Sequence, residues 1–238
     1  MKWRSLDESR PASVVRPLRE VYAERKQLIA KYVPAEIQAI HSRAVEELRQ
    51  SGLADRALGP ADQVQGFELP DHDGTIVRSS DLLEKGRLVL CFFRGRWCPF
   101  CVGQLEAMNR QLERLKELGA SVVAISPQSV KHSFFMADQH GIHFPLLSDP
   151  TNSVARRLGL VYRVPEYQQE IYRRTFVNLP SISGEPSWEL PIPATYVLDR
   201  GGEADPGFHM ILYAGRNPDY TDRPEPEDIV SFVERHGS

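Results

Sequence analysis

Read as hydrophobic against polar positions, the chain changes texture near residue 60. Before it, Val14, Val15, Leu18, Val21, Tyr22, Leu28 and Ile29 recur at helical spacing, and so do Ile37, Ile40, Ala44, Val45 and Leu48. Pro34 separates the two stripes and Gly52 closes the second, which predicts a helical hairpin. Beyond residue 60 the pattern shortens into strands punctuated by turns. GFELPDHDGTIVRSSDLL predicts a strand ending near Pro70, a turn at Asp73 and Gly74, a second strand and a brief helix capped by Ser80 or Asp81. The unbroken apolar run from Leu88 to Phe93 predicts a strand covered on both faces.

Pro99 then fits the first turn of a helix, with Val102, Leu105, Met108, Leu112, Leu115 and Leu118 as its buried stripe and Gly119 as its end. A buried strand at 121–126, a helix near 129–139 and a short strand at 144–149 follow, and then a brief helix through Val154, Ala155 and Leu158. The segment 160–190 reads as an insertion, with a helix over Glu166 to Arg174 and then a loop rich in Pro, Ser and Gly. ATYVLD and FHMILYAG predict a strand pair, and a last helix starting near Glu225 buries Ile229, Val230 and Val233. Strands alternating with helices make this an α/β domain over 61–238, with a helical extension over 1–60.

The whole sequence of 238 residues is long enough for a full-sized core, and its net charge is −3. Residues 1–60 hold 11 Lys and Arg against 8 Asp and Glu, an excess too small for a nucleic-acid footprint. No apolar run reaches the roughly 20 residues of a membrane helix, and the start has no apolar leader, so the expectation is a cytoplasmic protein with neither nucleic acid nor membrane as partner. The apolar stripes of the extension suggest assembly, either on the main domain or as a homodimer.

Two of the three cysteines, Cys98 and Cys101, lie one helical turn apart where the buried strand hands over to the helix. Cys98 falls at the amino end of that helix, where unpaired N–H groups and the positive end of the dipole favour a thiolate. Arg94 and Arg96 add positive charge nearby. Cys101 sits one turn on, within reach of a mixed disulfide or sulfenic acid on Cys98, and is expected to be the less exposed and less acidic thiol. The same spacing serves zinc sites, but no second ligand pair accompanies it; His132, His140 and His143 form only a loose group. Cys91 reads as a small buried hydrophobe. No metal and no cofactor are expected.

A second constellation is WELPIPATYVLD, where Ile192-Pro193 immediately precedes a strand. Proline is confined to strand ends and edges, and its position here suggests a cis bond.

Together, FFRGRWCPFC and PIPATYVLD resemble the thioredoxin superfamily, in which a W-C-x-x-C motif faces a cis-proline loop. With VVAISPQ and FPLLSDP between them, the arrangement is similar to the alkyl hydroperoxide reductase and thiol-specific antioxidant group, in its peroxiredoxin-like branch, over about residues 62–235. The resemblance implies a thioredoxin-like fold and a peroxidase cycling between a Cys98/Cys101 dithiol and disulfide, with a protein disulfide reductase or a non-catalytic scaffold as alternatives. It implies that Cys98 attacks and Cys101 resolves, that Trp97 lies beside the sulfur, and that Ile192-Pro193 offers a backbone edge to substrate. A hydroperoxide or disulfide would be the substrate, and a thioredoxin- or glutathione-type thiol the reductant. One departure stands out. Peroxiredoxins carry P-x-x-x-T-x-x-C and a late arginine; anchored on Cys98 the pattern meets Cys91 and Gly95, anchored on Cys101 it meets Arg94 and Cys98, and Pro193 occupies the arginine position. Arg94 or Arg96 is then the expected peroxide-holding cation.

Overall fold

The run from Leu88 to Phe92 becomes the strand on which the rest is assembled, and every one of its residues is buried. Successive side chains alternate between faces. Val89 and Cys91 enter one apolar cluster, and Leu88, Leu90 and Phe92 enter another. The computed structural model describes residues 16–202 and 207–236; Val14 and Val15 of the first helical stripe lie outside the described residues.

In chain order the elements are α1 (Leu18–Tyr32), α2 (Ala35–Gln50), α3 (Leu53–Arg56), β1 (Gln63–Gln65), β2 (Glu68–Pro70), β3 (Ile76–Arg78), α4 (Ser79–Leu83), β4 (Leu88–Phe92), α5 (Pro99–Arg110) and α6 (Leu112–Glu117). They continue with β5 (Ser121–Ser126), α7 (Val130–His140), β6 (Leu146–Ser148), α8 (Ser153–Arg157), β7 (Val161–Arg163), α9 (Glu166–Arg174), α10 (Leu179–Ser183), β8 (Glu189–Pro191), β9 (Ala194–Arg200), β10 (Phe208–Arg216) and α11 (Pro226–Arg235). The main sheet is mixed, in the order β1-β10-β9-β4-β5-β6. β4, β5 and β6 run parallel, while β9 pairs antiparallel with both β4 and β10. One face carries α1, α5, α6, α7 and α11, and the other carries α4, α8 and the β2–β3 hairpin.

Three sequence expectations change. The helix from Pro99 breaks at Gln111, whose N–H bonds to the Met108 carbonyl at 2.9 Å in a tighter turn, so α5 and α6 are separate. The stretch after α9 is an ordered unit. α10 and the β7–β8 pair enclose a small core of Val164, Tyr172, Leu179, Trp188 and Leu190. Three-residue strands are too short to announce themselves by periodicity. Finally, no cis peptide occurs among the described residues, so Ile192-Pro193 is trans. Pro193 precedes β9, whose pairing begins at Ala194, and no ladder bond is lost there.

The extension does not stand apart as an unpartnered hairpin. α1 lies on α5 and α2 on α9, and Leu18 and Tyr22 belong to the same apolar cluster as α5. The first two free N–H groups of α1, those of Leu18 and Arg19, donate to the Glu225 carboxylate at 2.7 Å each, a capping contact worth about 1 kcal/mol. Of the apolar stripes that suggested assembly, Leu18, Tyr22 and Ala44 are buried within the chain itself, whereas Ile29, Ile37 and Val45 are half-buried and Leu28 is exposed. No helix among the described residues is long and apolar enough to cross a membrane.

His41, on α2, packs near Tyr172 and Tyr220 and accepts a hydrogen bond from Gln168 at 3.1 Å. Burial, with a smaller contribution from the Arg94 charge, pushes it down to about 4. The unfolded chain therefore binds the proton first, at about 6.5. Stability is complete above that value and is expected to fall as pH drops from about 6.5 to about 4. Urea titrations across this range check it, and His41→Gln is expected to flatten the slope.

Candidate active site

The turn from β4 into α5 is built around Gly95. Its φ is +145°, and a Cβ there would lie 2.6 Å from Trp97 Nε1, so a side chain would be excluded twice over. The turn closes with the Cys98 N–H donating to the Gly95 carbonyl at 3.0 Å. Cys98 is the capping residue of α5, one position before the helix proper, and Pro99 occupies the first helical position as expected. On the other side of the turn, the Arg96 N–H donates to Gln128 Oε1 at 2.9 Å, and Gln128 is itself buried and donates to Ser133.

Both thiols are buried, Cys98 at 1% exposure and Cys101 at 0%, and both are free. Their electrostatic surroundings differ in the direction opposite to the sequence expectation. Burial works against a charge on Cys101, but a hydrogen bond from Cys98, the Arg223 and Arg94 charges and the Arg94 N–H together hold that thiol well below its usual range. Arg223 Nη2 and the Arg94 backbone N–H each lie 3.4 Å from Cys101 Sγ. Cys98 is pushed well above the thiol range by burial, then by its hydrogen bond to Cys101 and the charge there. The donors around the pair thus favour the thiolate on Cys101 over Cys98. The placement of Cys98 at the helix end does not make it the acidic sulfur, because the Arg94 N–H and Arg223 Nη2 both aim at Cys101.

Arg223 is held on three sides. Its Nη1 donates to Gln104 Oε1 at 2.7 Å, its Nε to the Tyr220 carbonyl at 3.1 Å, and its Nη2 faces the sulfur. Gln104 is in turn bound to Thr195 at 3.0 Å. Arg94 is buried beneath aromatic rings, its guanidinium 4.7 Å from the Trp97 centroid and 4.3 Å from that of Tyr220, with a hydrogen bond to Tyr172 Oη. α1 reaches the same turn from above, where Tyr22 Oη donates to the Phe100 carbonyl and Arg25 to that of Pro99.

A cavity of about 460 Å³ opens over the turn, with Cys98, Trp97 and Arg94 in its wall. Of the residues singled out from sequence, these three meet there, with Cys101 one turn behind Cys98. The other three do not join them. Arg96 is exposed and contributes its backbone N–H only, because the turn directs its side chain outward. Ile192 is fully buried in the cluster on the opposite face of the sheet, and its N–H is bonded to the Leu160 carbonyl at 2.8 Å. Pro193 is buried beside a second, smaller cavity that includes Arg223 and Gln104 but neither thiol. The anticipated backbone edge for a substrate chain is therefore absent. Cys91 is fully buried and pushed up to about 12, chiefly by burial. Its nearest polar contact is Thr195. Arg223, Gln128, Tyr172 and His41 went unread, since each lies tens of residues from the motif and nothing local marks it; Gln104 went unread although it follows Cys101 by three residues, because its partners Arg223 and Thr195 are distant in sequence.

Removing the guanidinium while keeping apolar bulk, as in Arg223→Met, is expected to move the thiolate titration to higher pH and to lower the thiolate-dependent rate at pH 7 by about tenfold or more. Ultraviolet absorbance of the thiolate against pH checks this.

The family model for the AhpC/TSA family matches residues 60–204. Among curated relatives, "Putative peroxiredoxin Rv1608c" of Mycobacterium tuberculosis is 34% identical over 116 residues, covering 49% of this chain and 75% of that protein. "Thiol-disulfide oxidoreductase ResA" of Halalkalibacterium halodurans is 30% identical over 112 residues, 45% of this chain and 61% of that protein. Among solved structures, peroxidoxin BcpB of Mycobacterium tuberculosis superimposes with a TM-score of 0.57 at 24% identity, covering 75% of this chain and 97% of that one. That likeness concerns the fold, which is thioredoxin-like as the motifs implied.

Proposed function

This chain belongs to the AhpC/TSA family, and we propose that it acts as a thiol-dependent peroxidase in which Cys101 attacks the peroxide and Cys98 resolves the product. The observation that carries the assignment is the pair of donors on Cys101 Sγ, Arg223 Nη2 and the Arg94 N–H, at 3.4 Å each. The thiolate is the nucleophile, and these two donors favour the charge on the inner sulfur. This reverses the expected order, and it selects the register that sets Arg94 and Cys98 where peroxiredoxins carry proline and threonine. Arg223 then supplies the cation that Pro193 cannot.

The cycle balances as follows. Cys101 thiolate attacks the terminal oxygen of R–O–O–H; the O–O bond breaks, an S–O bond forms, and Cys101 becomes a sulfenic acid. The departing alkoxide takes the proton held by Cys98 and leaves as R–OH. Cys98, now a thiolate, attacks the Cys101 sulfur, forming the disulfide and releasing hydroxide, which takes up a proton to become water. Two electrons pass from the dithiol to the peroxide. A thiol reductant of thioredoxin or glutathione type, giving up two thiol hydrogens, restores the pair. Because Cys98 separates Cys101 from the cavity, its side chain turns aside to admit the oxygen. Disulfide exchange with a protein chain fits less well, because the Ile192-Pro193 edge that would receive such a chain is buried.

Stopped-flow oxidation of reduced protein by hydrogen peroxide is expected to consume two thiols together. Cys101→Ser is expected to lower the rate by at least about a thousandfold. Cys98→Ser is expected to retain the first step and to accumulate a sulfenic acid that a dimedone probe labels at Cys101. Labelling of Cys98 in a Cys101→Ser protein at the parent rate overturns the assignment.

A further inference from the structure

The two peptide groups between the cysteines are held by a helix outside the family-matched stretch. Tyr22 Oη, on α1, donates to the Phe100 carbonyl, and Arg25 Nη1, one turn further along α1, donates to the Pro99 carbonyl at 2.5 Å. Both carbonyls lie inside the ring that a Cys98–Cys101 disulfide closes. α1 can come this close because residue 103 is glycine: a Cβ there would stand 3.2 Å from Arg25 Nη1 and 3.2 Å from the Tyr22 ring. Tyr22 is buried and meets the Phe100 ring edge-on at 5.0 Å, and the Arg25 guanidinium lies 5.6 Å from the centroid of that ring. Burial pushes the Tyr22 hydroxyl up against the opposing Arg223 charge, and charge on either sulfur adds to the rise, so the group remains a donor at physiological pH. At its amino end α1 is fixed to Glu225, two residues after Arg223. It is therefore tied at two points to the segments that surround the sulfur pair.

We propose that α1 is a strap that sets the reduction potential of the pair, with Arg25 and Tyr22 as its positioning residues. Wherever the reduced pair carries a thiolate it is anionic, whereas the disulfide is neutral. A cation at the Pro99 carbonyl stabilises the anionic form and does nothing comparable for the neutral one, and the dry surroundings of the sulfurs preserve the effect. Favouring the dithiol form makes the pair a stronger oxidant. The relation is reciprocal: the factor by which the docked strap favours the dithiol is the factor by which disulfide formation weakens the docking. The proposal rests on that part of the peroxidase reading in which the two sulfurs form a disulfide, and not on peroxide as the oxidant.

The test equilibrates the protein with buffers of reduced and oxidised glutathione. Two electrons pass to the glutathione disulfide, whose S–S bond breaks, while an S–S bond closes between Cys98 and Cys101; the proton on Cys98 and one from solvent complete the two glutathione thiols. In Arg25→Gln the equilibrium is expected to shift about tenfold toward the protein disulfide, a potential about 30 mV more negative, and in Arg25→Lys, which keeps the charge, to return to within about twofold of the parent. Tyr22→Phe, which removes a donor and no charge, is expected to shift it less than Arg25→Gln. Amide hydrogen exchange across residues 18–32 is expected to be about tenfold faster in the disulfide form of the parent than in its dithiol form. An Arg25→Gln protein with the parent potential, or exchange in α1 that is equal in the two forms, overturns the strap, and the peroxidase reading stands if hydrogen peroxide still consumes two thiols. The expected shifts in a protein whose thiols hydrogen peroxide leaves intact uphold the strap and refute the peroxidase reading. Glutathione buffers that never close the disulfide overturn both.

Discussion

A negative charge on a sulfur that water does not reach has to be balanced by the protein, and most of the architecture around Cys101 follows from that need. Burial alone would keep both thiols protonated. A charge on Cys101 is favoured because a guanidinium, a backbone N–H and a neighbouring S–H converge on it. Arg223 in turn is fixed by Gln104 and the Tyr220 carbonyl, and Gln104 by Thr195 on β9. The central sheet, the helix that carries the cysteines and the loop before α11 thereby share one electrostatic constraint.

The arm belongs to the same constraint. Tyr22 and Arg25 of α1 satisfy the carbonyls of Phe100 and Pro99, the two residues between the cysteines, while Glu225 caps α1 close to the loop that delivers Arg223. α2 and α9 line the cavity, and the rings of Trp97, of Tyr172 on α9 and of Tyr220 surround Arg94, a cation that no carboxylate accompanies among the described residues. Aromatic faces and the dithiol anion take the place of a carboxylate beside Arg94. The segments before and after the family-matched stretch therefore contribute to the environment of the reactive pair, although they carry none of its motif.

Much of this was legible along the chain. The strand from Leu88 to Phe92, the proline-led helix after it and the cysteine spacing all depend on neighbours a few residues apart, and all are present. The texture changes near residue 60 from helices to strands, yet the arm and the segment beyond it share a cluster through Leu18 and Tyr22. Other expectations failed where a residue's role depends on what folds against it. Ile192-Pro193 was read as an open edge, but the residues that bury it come from distant segments. Arg96 was read as a peroxide-holding cation, but the turn sends its side chain to solvent.

What the sequence by itself determined was local: a sulfur pair at one helical spacing, at the end of a strand buried on both faces, in a motif that implied the fold and the redox chemistry. Which of the two sulfurs its surroundings favour as the thiolate depends only on tertiary structure. Arg223 is 122 residues from Cys101, and its contact at 3.4 Å exists because the sheet and α5 bring the loop before α11 to that point. Helix-end electrostatics falls off within a turn and could be read from Cys98 alone. The stronger effect, a guanidinium against a sulfur in a dry interior, depends on distance in space, which the order of residues does not contain.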